Sequence, residues 1–230
     1  AYTKKIIASI STGRLPFGLA ISPDKKTALV ANVGMYAYSL IAGATKENYD
    51  SILISNHPYG HNTSESRNGT IINGKQIPGV GDPNAEEAMS VFIIDLDSNQ
   101  VRSKVKTGLL VGEIIDDKEV IGGSSPNSIA IGNQYAFVSN ATNDNISVID
   151  YRTGKIVKHI QLQITPVLDS VRGYLPFGIT LSPDQKKLYV ALLGLNAVAV
   201  VDIENSRVEG LIPTGWGPTR VQQDAKGEHL

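Results

Sequence analysis

The chain contains no cysteine, which removes thiolate metal sites and cysteine nucleophiles and leaves histidines, arginines and carboxylates as the groups with chemistry to offer. His57 and His61 flank Pro58-Tyr59-Gly60. Neutral imidazoles four residues apart suit a transition metal or an acid/base pair when one helix face carries both rings. Pro58 and Gly60 break such a helix, so a surface loop with backbone-bonded histidines is the stronger reading and a metal site the weaker. Arg14, Arg172 and Arg220 fall two residues before Pro16, four before Pro176 and two after Pro218, with no common register. At the rim of a site they would hold an anionic ligand or a partner's carboxylates; the plainer alternative is that they satisfy loop carbonyls. Glu113, Asp116, Asp117, Asp144 and Asp169 could serve an enzymatic centre, but no repeated spacing makes them converge. The expectation is no catalytic residue, no metal and no cofactor, with Arg14, His57, His61, Asn127, Arg172, Trp216 and Arg220 as candidate ligand contacts. Trp216 reads first as packing between repeats and second as a rim contact.

A repeat positions these residues. Pro16-Phe17-Gly18-Leu19-Ala20-Ile21-Ser22-Pro23-Asp24 returns as Pro176-Phe177-Gly178-Ile179-Thr180-Leu181-Ser182-Pro183-Asp184, with a weaker copy from Pro126 and a truncated one from Pro218. A second apolar phrase ends at Asp95, Asp150 and Asp202, at intervals of 55 and 52 residues. Such periods build arrays, and function is grafted onto arrays. Each unit reads as four strands. The first covers 17–21 or 177–181, and the second 27–31, 135–139 or 187–191. The third is the phrase ending in aspartate, and the fourth covers 101–106, 155–162 or 207–212. Residues 4–10 read as a lone fourth strand. In the Ser-Pro-Asp turns, proline pre-sets a turn dihedral and aspartate bonds a backbone N–H two residues on. The register shared by Asp95, Asp150 and Asp202 argues for a turn role over catalysis, and Asn32, Asn140, Asn143 and Asn145 read as turn closers. No stretch holds a 3.6-residue apolar period, and a β-sandwich does not predict a recurring phrase.

The expected fold is therefore all-β, a β-propeller of four-stranded blades. It forms one domain over residues 1–230, interrupted by an insertion at 33–88. Propellers need about four blades or more, and only three full repeat phrases are present, so the propeller reads as incomplete, with about three full blades plus partial ones. Within the insertion, residues 36–42 offer a short helix, and residues 70–77 a hairpin turning at Asn73-Gly74. Strand alternation puts the one-to-two and three-to-four turns, all tight, on one face. The two-to-three and four-to-one connections lie on the other, with every long segment: 33–88, 109–125 and 163–175. Binding belongs to long loops on a rigid scaffold.

Composition narrows the partners. Twenty-one basic and 22 acidic residues leave a net charge of −1, so no footprint for nucleic acid or an anionic membrane appears, and no apolar run is long enough for a transmembrane helix. Glycosylation sequons begin at Asn62, Asn68, Asn140 and Asn145, matches that carry little weight in so asparagine-rich a chain.

The phrases SPDQKKLYVA, SNATNDNISVID and LNAVAVVDIENSRVEGLIPTG resemble the YVTN-type (YncE-like) propeller repeat proteins. A narrower likeness, carried by Ser124–Ser128, Tyr174–Gly178, Asn196–Val200 and Pro213–Thr219, is to bacterial proteins that join such a propeller to an alkaline-phosphatase-type phosphoesterase domain. The resemblance implies an extracytoplasmic (periplasmic or cell-surface) bacterial module. Its long-loop face would bind a protein partner, a glycan or an attached phosphoesterase domain, and the ring could be completed in trans as an oligomer. The alternatives are the propeller part of a phosphoesterase whose catalytic part lies elsewhere, and a lactonase-like enzyme with a site at the channel mouth.

Overall fold

The computed structural model describes residues 5–38, 43–48, 62–165, 171–224 and 226–230; His57, His61 and Asp169 lie outside them. The protein is all-β, 43% strand and 2% helix. Its first four-stranded antiparallel sheet has the order β1 (Pro16–Ile21), β2 (Thr27–Asn32), β5 (Ser90–Asp95), β6 (Gln100–Lys106). The second is β9 (Pro126–Ile131), β10 (Tyr135–Asn140), β11 (Asn145–Asp150), β12 (Lys155–Gln161). The third is β13 (Pro176–Leu181), β14 (Lys187–Leu192), β15 (Ala197–Asp202), β16 (Arg207–Pro213). Two hairpins lie between them: β3 (Gly69–Ile72) with β4 (Lys75–Pro78), and β7 (Ile114–Ile115) with β8 (Lys118–Glu119). Among the described residues, a short helix, α1 (Ser64–Asn68), precedes β3.

Stacked sheets explain the apolar patterning. β2, β5 and β11 are buried on both faces because neighbouring sheets or loops cover each, so they read as continuous apolar runs. The outermost strands β6 and β12 alternate until their last turn, where Val105 and Ile160 enter the core. Leu29, Val91, Ile93 and Val105 of the first sheet pack with Ile129, Val138 and Ile149 of the second. Phe137, Ile146, Val148 and Ile160 then pack with Ile179, Leu188, Val190 and Val201 of the third. This succession fits a propeller-like fold.

The innermost strands β1, β9 and β13 lie side by side, and the recurring glycine makes that approach possible. A Cβ on Gly18 would fall 2.3 Å from the carbonyl oxygen of Asn127, and one on Gly178 would fall 2.5 Å from that of Thr219. Gly178 N donates to that same Thr219 oxygen at 3.1 Å. Residues 218–222 therefore hold, beside β13, the place that β9 holds beside β1. The truncated fourth copy of the phrase occupies the position its sequence implies.

Each Ser-Pro-Asp turn is a duplicate of the other. Ser22 Oγ donates to Asp24 Oδ1 (2.5 Å) and accepts from Thr27 N (2.9 Å), while Lys26 N donates to Asp24 Oδ1 at 3.1 Å. Ser182, Asp184, Lys186 and Lys187 repeat the pattern at 2.6, 2.9 and 3.1 Å. The serine hydroxyl, then the backbone N–H, holds both carboxyls below the usual carboxylate range. Asp95, Asp150 and Asp202 close the three-to-four turns by accepting from Ser98 N (2.7 Å), Arg152 N (3.0 Å) and Asn205 N (3.0 Å). After those turns comes a shared bulge, which skips Arg102, Val157 and Glu209 in the pairing and adds local twist.

One expectation is corrected, one falls partly outside the described residues, and one is met. Residues 5–12 form no strand, and Ile6 and Ile7 are 86% and 88% exposed; alternation makes a strand only where a neighbour takes its hydrogen bonds. Tyr36–Tyr38, the described part of the expected helix at 36–42, is not helical. A short helix is described at α1, where Thr63 and Ser66 make a reciprocal capping box. The Asn73-Gly74 hairpin forms, with both residues at positive φ (51° and 75°) as a type I′ turn requires.

Gly18→Ala should cost about 1–3 kcal/mol in chemical denaturation, the usual scale of overpacking. Gly210→Ala, where an added Cβ meets nothing within 4 Å, should be close to neutral. In an NMR titration, Ser22→Ala should move the Asp24 carboxyl back up toward its ordinary value. The stabilisation from the depressed carboxyl is present above its unfolded pKa and is lost as pH falls through the folded one.

Candidate functional site

At the end opposite the aspartate-closed turns, three irregular segments meet. The excursion from β6 to β9 carries the β7–β8 hairpin. The β10–β11 turn contributes Thr142 and Asn143, and the segment entering β13 contributes Arg172. Together they enclose an open cleft of about 700 Å³, lined by Asp116, Asp117, Lys118, Gly122–Gly123, Asn143 and Arg172 among others. Arg172 Nε donates to Asp116 Oδ2 at 3.0 Å, and its Nη2 donates to the same oxygen. The pair is exposed, so it adds little stability, but it ties the hairpin tip to the β13 entry. Both tip residues, Asp116 (φ 49°) and Asp117 (φ 60°), adopt the left-handed region without being glycine.

Beneath the cleft lies a buried polar network. Asn143 Oδ1 accepts from Leu109 N (2.7 Å) and its Nδ2 donates to Gly123 O (2.9 Å), so one side chain clamps both ends of the excursion. Thr142 Oγ1 donates to the same Gly123 carbonyl. Asp144, 2% exposed, accepts from Gly173 N (2.7 Å) and Leu175 N (3.0 Å) and fixes the β13 entry. Asn140 donates to Asn145 Oδ1 and Ser147 Oγ, both at 2.8 Å, and Ser147 Oγ meets His159 Nδ1 at 3.1 Å. Burial holds the His159 imidazole below its usual range, opposed by the Glu113 carboxylate. Asn140 and Asn145 are buried, which removes their sequons as surface acceptors.

The backbone under this face repeats in all three sheets. Leu15, Ser125 and Leu175, each just before a strand-one proline, have φ of 49°, 49° and 51°. Their carbonyls accept from Val33, Ala141 and Leu193 N at 3.1–3.2 Å, and these bonds hold a strained conformation in place. Beyond them Phe17 and Phe177 meet edge to face, with centroids 5.8 Å apart, beside a smaller apolar hollow of about 260 Å³ shared with Val33, Ser125, Asn127 and Ala141.

The remaining sequence candidates are spread apart. Arg14 Nη1 donates to Met35 O (2.6 Å) and Asp82 O (2.9 Å), so it satisfies loop carbonyls of the insertion. Asn127 is buried and bridges two sheets, donating to Pro176 O (3.2 Å) and accepting from Ser139 Oγ (2.9 Å). Arg220 lines a second, open pocket with Phe17, Phe177 and Gln222. Trp216 is 95% exposed, and among the described residues no further sheet reaches it. Glu113 is used in a turn, accepting from Leu110 N at 2.6 Å. Of the candidate carboxylates, only Asp116 and Asp117 line the cleft. Among the described residues, one group has three potential metal ligands within reach of one another, the exposed Asp224, Glu228 and His229, and it shares no residue with the cleft.

Many solved structures resemble this chain, two of them as follows. Hydrazine synthase from Kuenenia stuttgartiensis is 20% identical, with a TM-score of 0.56 over 99% of this chain and 44% of its own. A functionally unknown protein from Desulfotomaculum acetoxidans is 14% identical, with a TM-score of 0.50 over 92% of this chain and 46% of its own. The likeness is one of fold. The chain spans less than half the length of either. No family model matches it, and no curated protein matches it in sequence.

Sequence reasoning missed His159 and Lys106. Lys106 Nζ donates to Ala85 O (3.1 Å) and Ala88 O, and burial, with Arg14 close by, pushes it down to about 8. No local pattern flags either residue, since both partners come from segments 12 to 21 residues away. Because the folded state releases the Lys106 proton more readily, stability should rise between pH 8 and 10.5 in the wild type, and Lys106→Met should flatten that rise in urea denaturation. Asp144→Ala should cost about 3 kcal/mol, from two N–H groups losing a charged acceptor, and should raise amide exchange at Gly173 and Leu175.

Proposed function

We propose that this chain is part of a YVTN-type β-propeller that acts as a non-catalytic, extracytoplasmic recognition module. Its partner is a protein, docking on the face that carries the cleft. The observation that carries the reading is the meeting of the described long connections at one end, around an open cleft of about 700 Å³ with mixed charge. Rigid scaffolds recognise partners through such segments. The available carboxylates favour binding over catalysis, because Asp144 and Glu113 are committed to backbone N–H groups and Asp116 to Arg172. Membership of a larger ring is supported by Ile212. It is 40% exposed, whereas Val105 and Ile160 at the matching place in the first two sheets are buried against the next sheet.

The test compares the two ends. Partners captured on immobilised wild type are measured against Asp117→Lys and Lys118→Glu at the cleft, and against Lys25→Glu and Glu204→Lys at the tight-turn end. The cleft variants should weaken binding at least tenfold and the tight-turn variants should not; the reverse pattern overturns the reading, as does capture of a glycan alone. Lactone or phosphoester turnover with stoichiometric bound metal would instead establish an enzyme.

A further inference from the structure

Ser147 is fully buried, and its hydroxyl is fully committed. It accepts from Gly108 N at 3.1 Å and from Asn140 Nδ2 at 2.8 Å. A serine oxygen has two acceptor pairs and one proton, so that proton is left to point at His159 Nδ1, 3.1 Å away. The imidazole is therefore neutral with its hydrogen on Nε2. Ser147 and His159 face each other directly across β11 and β12. The matching pairs in the other sheets are Phe92 with Lys104 and Ala199 with Leu211, neither of which can make this bond.

From this count of donors and acceptors we infer that His159 is a proton-operated latch on the root of the cleft. A proton arriving at Nδ1 sets an N–H against an oxygen with no pair to accept it. Turning the Asn140 amide over gives no relief by itself, since it would set oxygen against Asn145 Oδ1 unless that amide turned too. With both amides held as they are, the ring must leave or the Gly108 N–H must be given up. Gly108 has no slack, since a Cβ there would fall 2.4 Å from Asn143 Oδ1 and 2.6 Å from Ser124 Cβ. Its neighbour Leu109 is held by that same Asn143, which also grips Gly123. Loss of the serine bond thus loosens the first residues of the excursion whose hairpin walls the cleft.

Among the described residues, the charged groups around His159 are few. Glu113, in the turn before β7, favours the protonated ring, while burial opposes it. Facing it from β11 is the uncharged Ser147. On its own strand, Lys158 points to the other side, donating to Ile203 O and Ser206 Oγ in the third sheet. The consequence for partner binding rests on the cleft being the docking site; the latch itself does not.

Hydrogen exchange of the Gly108 and Leu109 amides, corrected for intrinsic rates, is followed from pH 8 to pH 5 alongside NMR titration of the His159 ring nitrogens. Protection at both amides should fall at least tenfold, with the midpoint of the ring titration. His159→Asn, which keeps an acceptor near the Nδ1 position and cannot titrate there, should show flat protection. Unchanged protection through the ring's titration, or the same pH dependence in His159→Asn, overturns the latch. If that variant does not fold, differing midpoints for ring and amides in the wild type overturn it equally. A working latch with pH-independent partner binding would count against the cleft as the docking site and leave the latch standing.

Discussion

Backbone meets backbone where the innermost strands pass one another, at a distance that leaves no room for a side chain. The carbonyl oxygens of Asn127 and Thr219 fill the space a Cβ would need at Gly18 and Gly178. Much of the architecture follows from that contact. Sheets that converge so tightly at one edge must splay at the other, so their faces meet as wedges and bury Leu29, Ile93, Val138, Ile149 and Val190 between them. The strand-one bulge beside each proline is part of the same adjustment, as is the left-handed residue before it.

The two ends of this stack are built by different physics. At the tight-turn end, single carboxylates close each reversal through exposed backbone N–H groups, a local and inexpensive device. Opposite, the chain relies on buried amides and hydroxyls. Asn140, Asn143, Asp144, Asn145 and Ser147 are all buried, and groups removed from water are costly unless every one finds a partner. That expense is incurred where the chain must hold long excursions in a fixed shape, beneath the cleft.

Much of the strand order could be read in the chain because its signals are local. Ser-Pro-Asp, Asn73-Gly74 and the phrases ending at Asp95, Asp150 and Asp202 each specify a turn or strand through residues a few positions apart. The tight face and the irregular face followed from strand alternation alone. Residues whose role depends on distant partners were misread, left open or missed. Residues 5–10 alternate like a strand, yet no described neighbour pairs with them. Arg14 takes the plainer of its two readings, spending its guanidinium on carbonyls 21 and 68 residues away. His159 had no sequence signature at all, since its significance lies in the valence of a serine across the ladder.

The sequence by itself determined the repeat, the four-stranded unit, the close-packed glycines and the end of the stack where irregular segments collect. These are set by local turn chemistry and by a two-residue period that one stretch of chain contains in full. Only the tertiary structure decided which polar groups face which. It alone joined Arg172 to Asp116 across 56 residues, gave Asn143 both ends of one excursion and left Ser147 a single proton for His159. Hydrogen-bond satisfaction is a property of three-dimensional neighbours, and no spacing along the chain encodes how many donors converge on one buried oxygen.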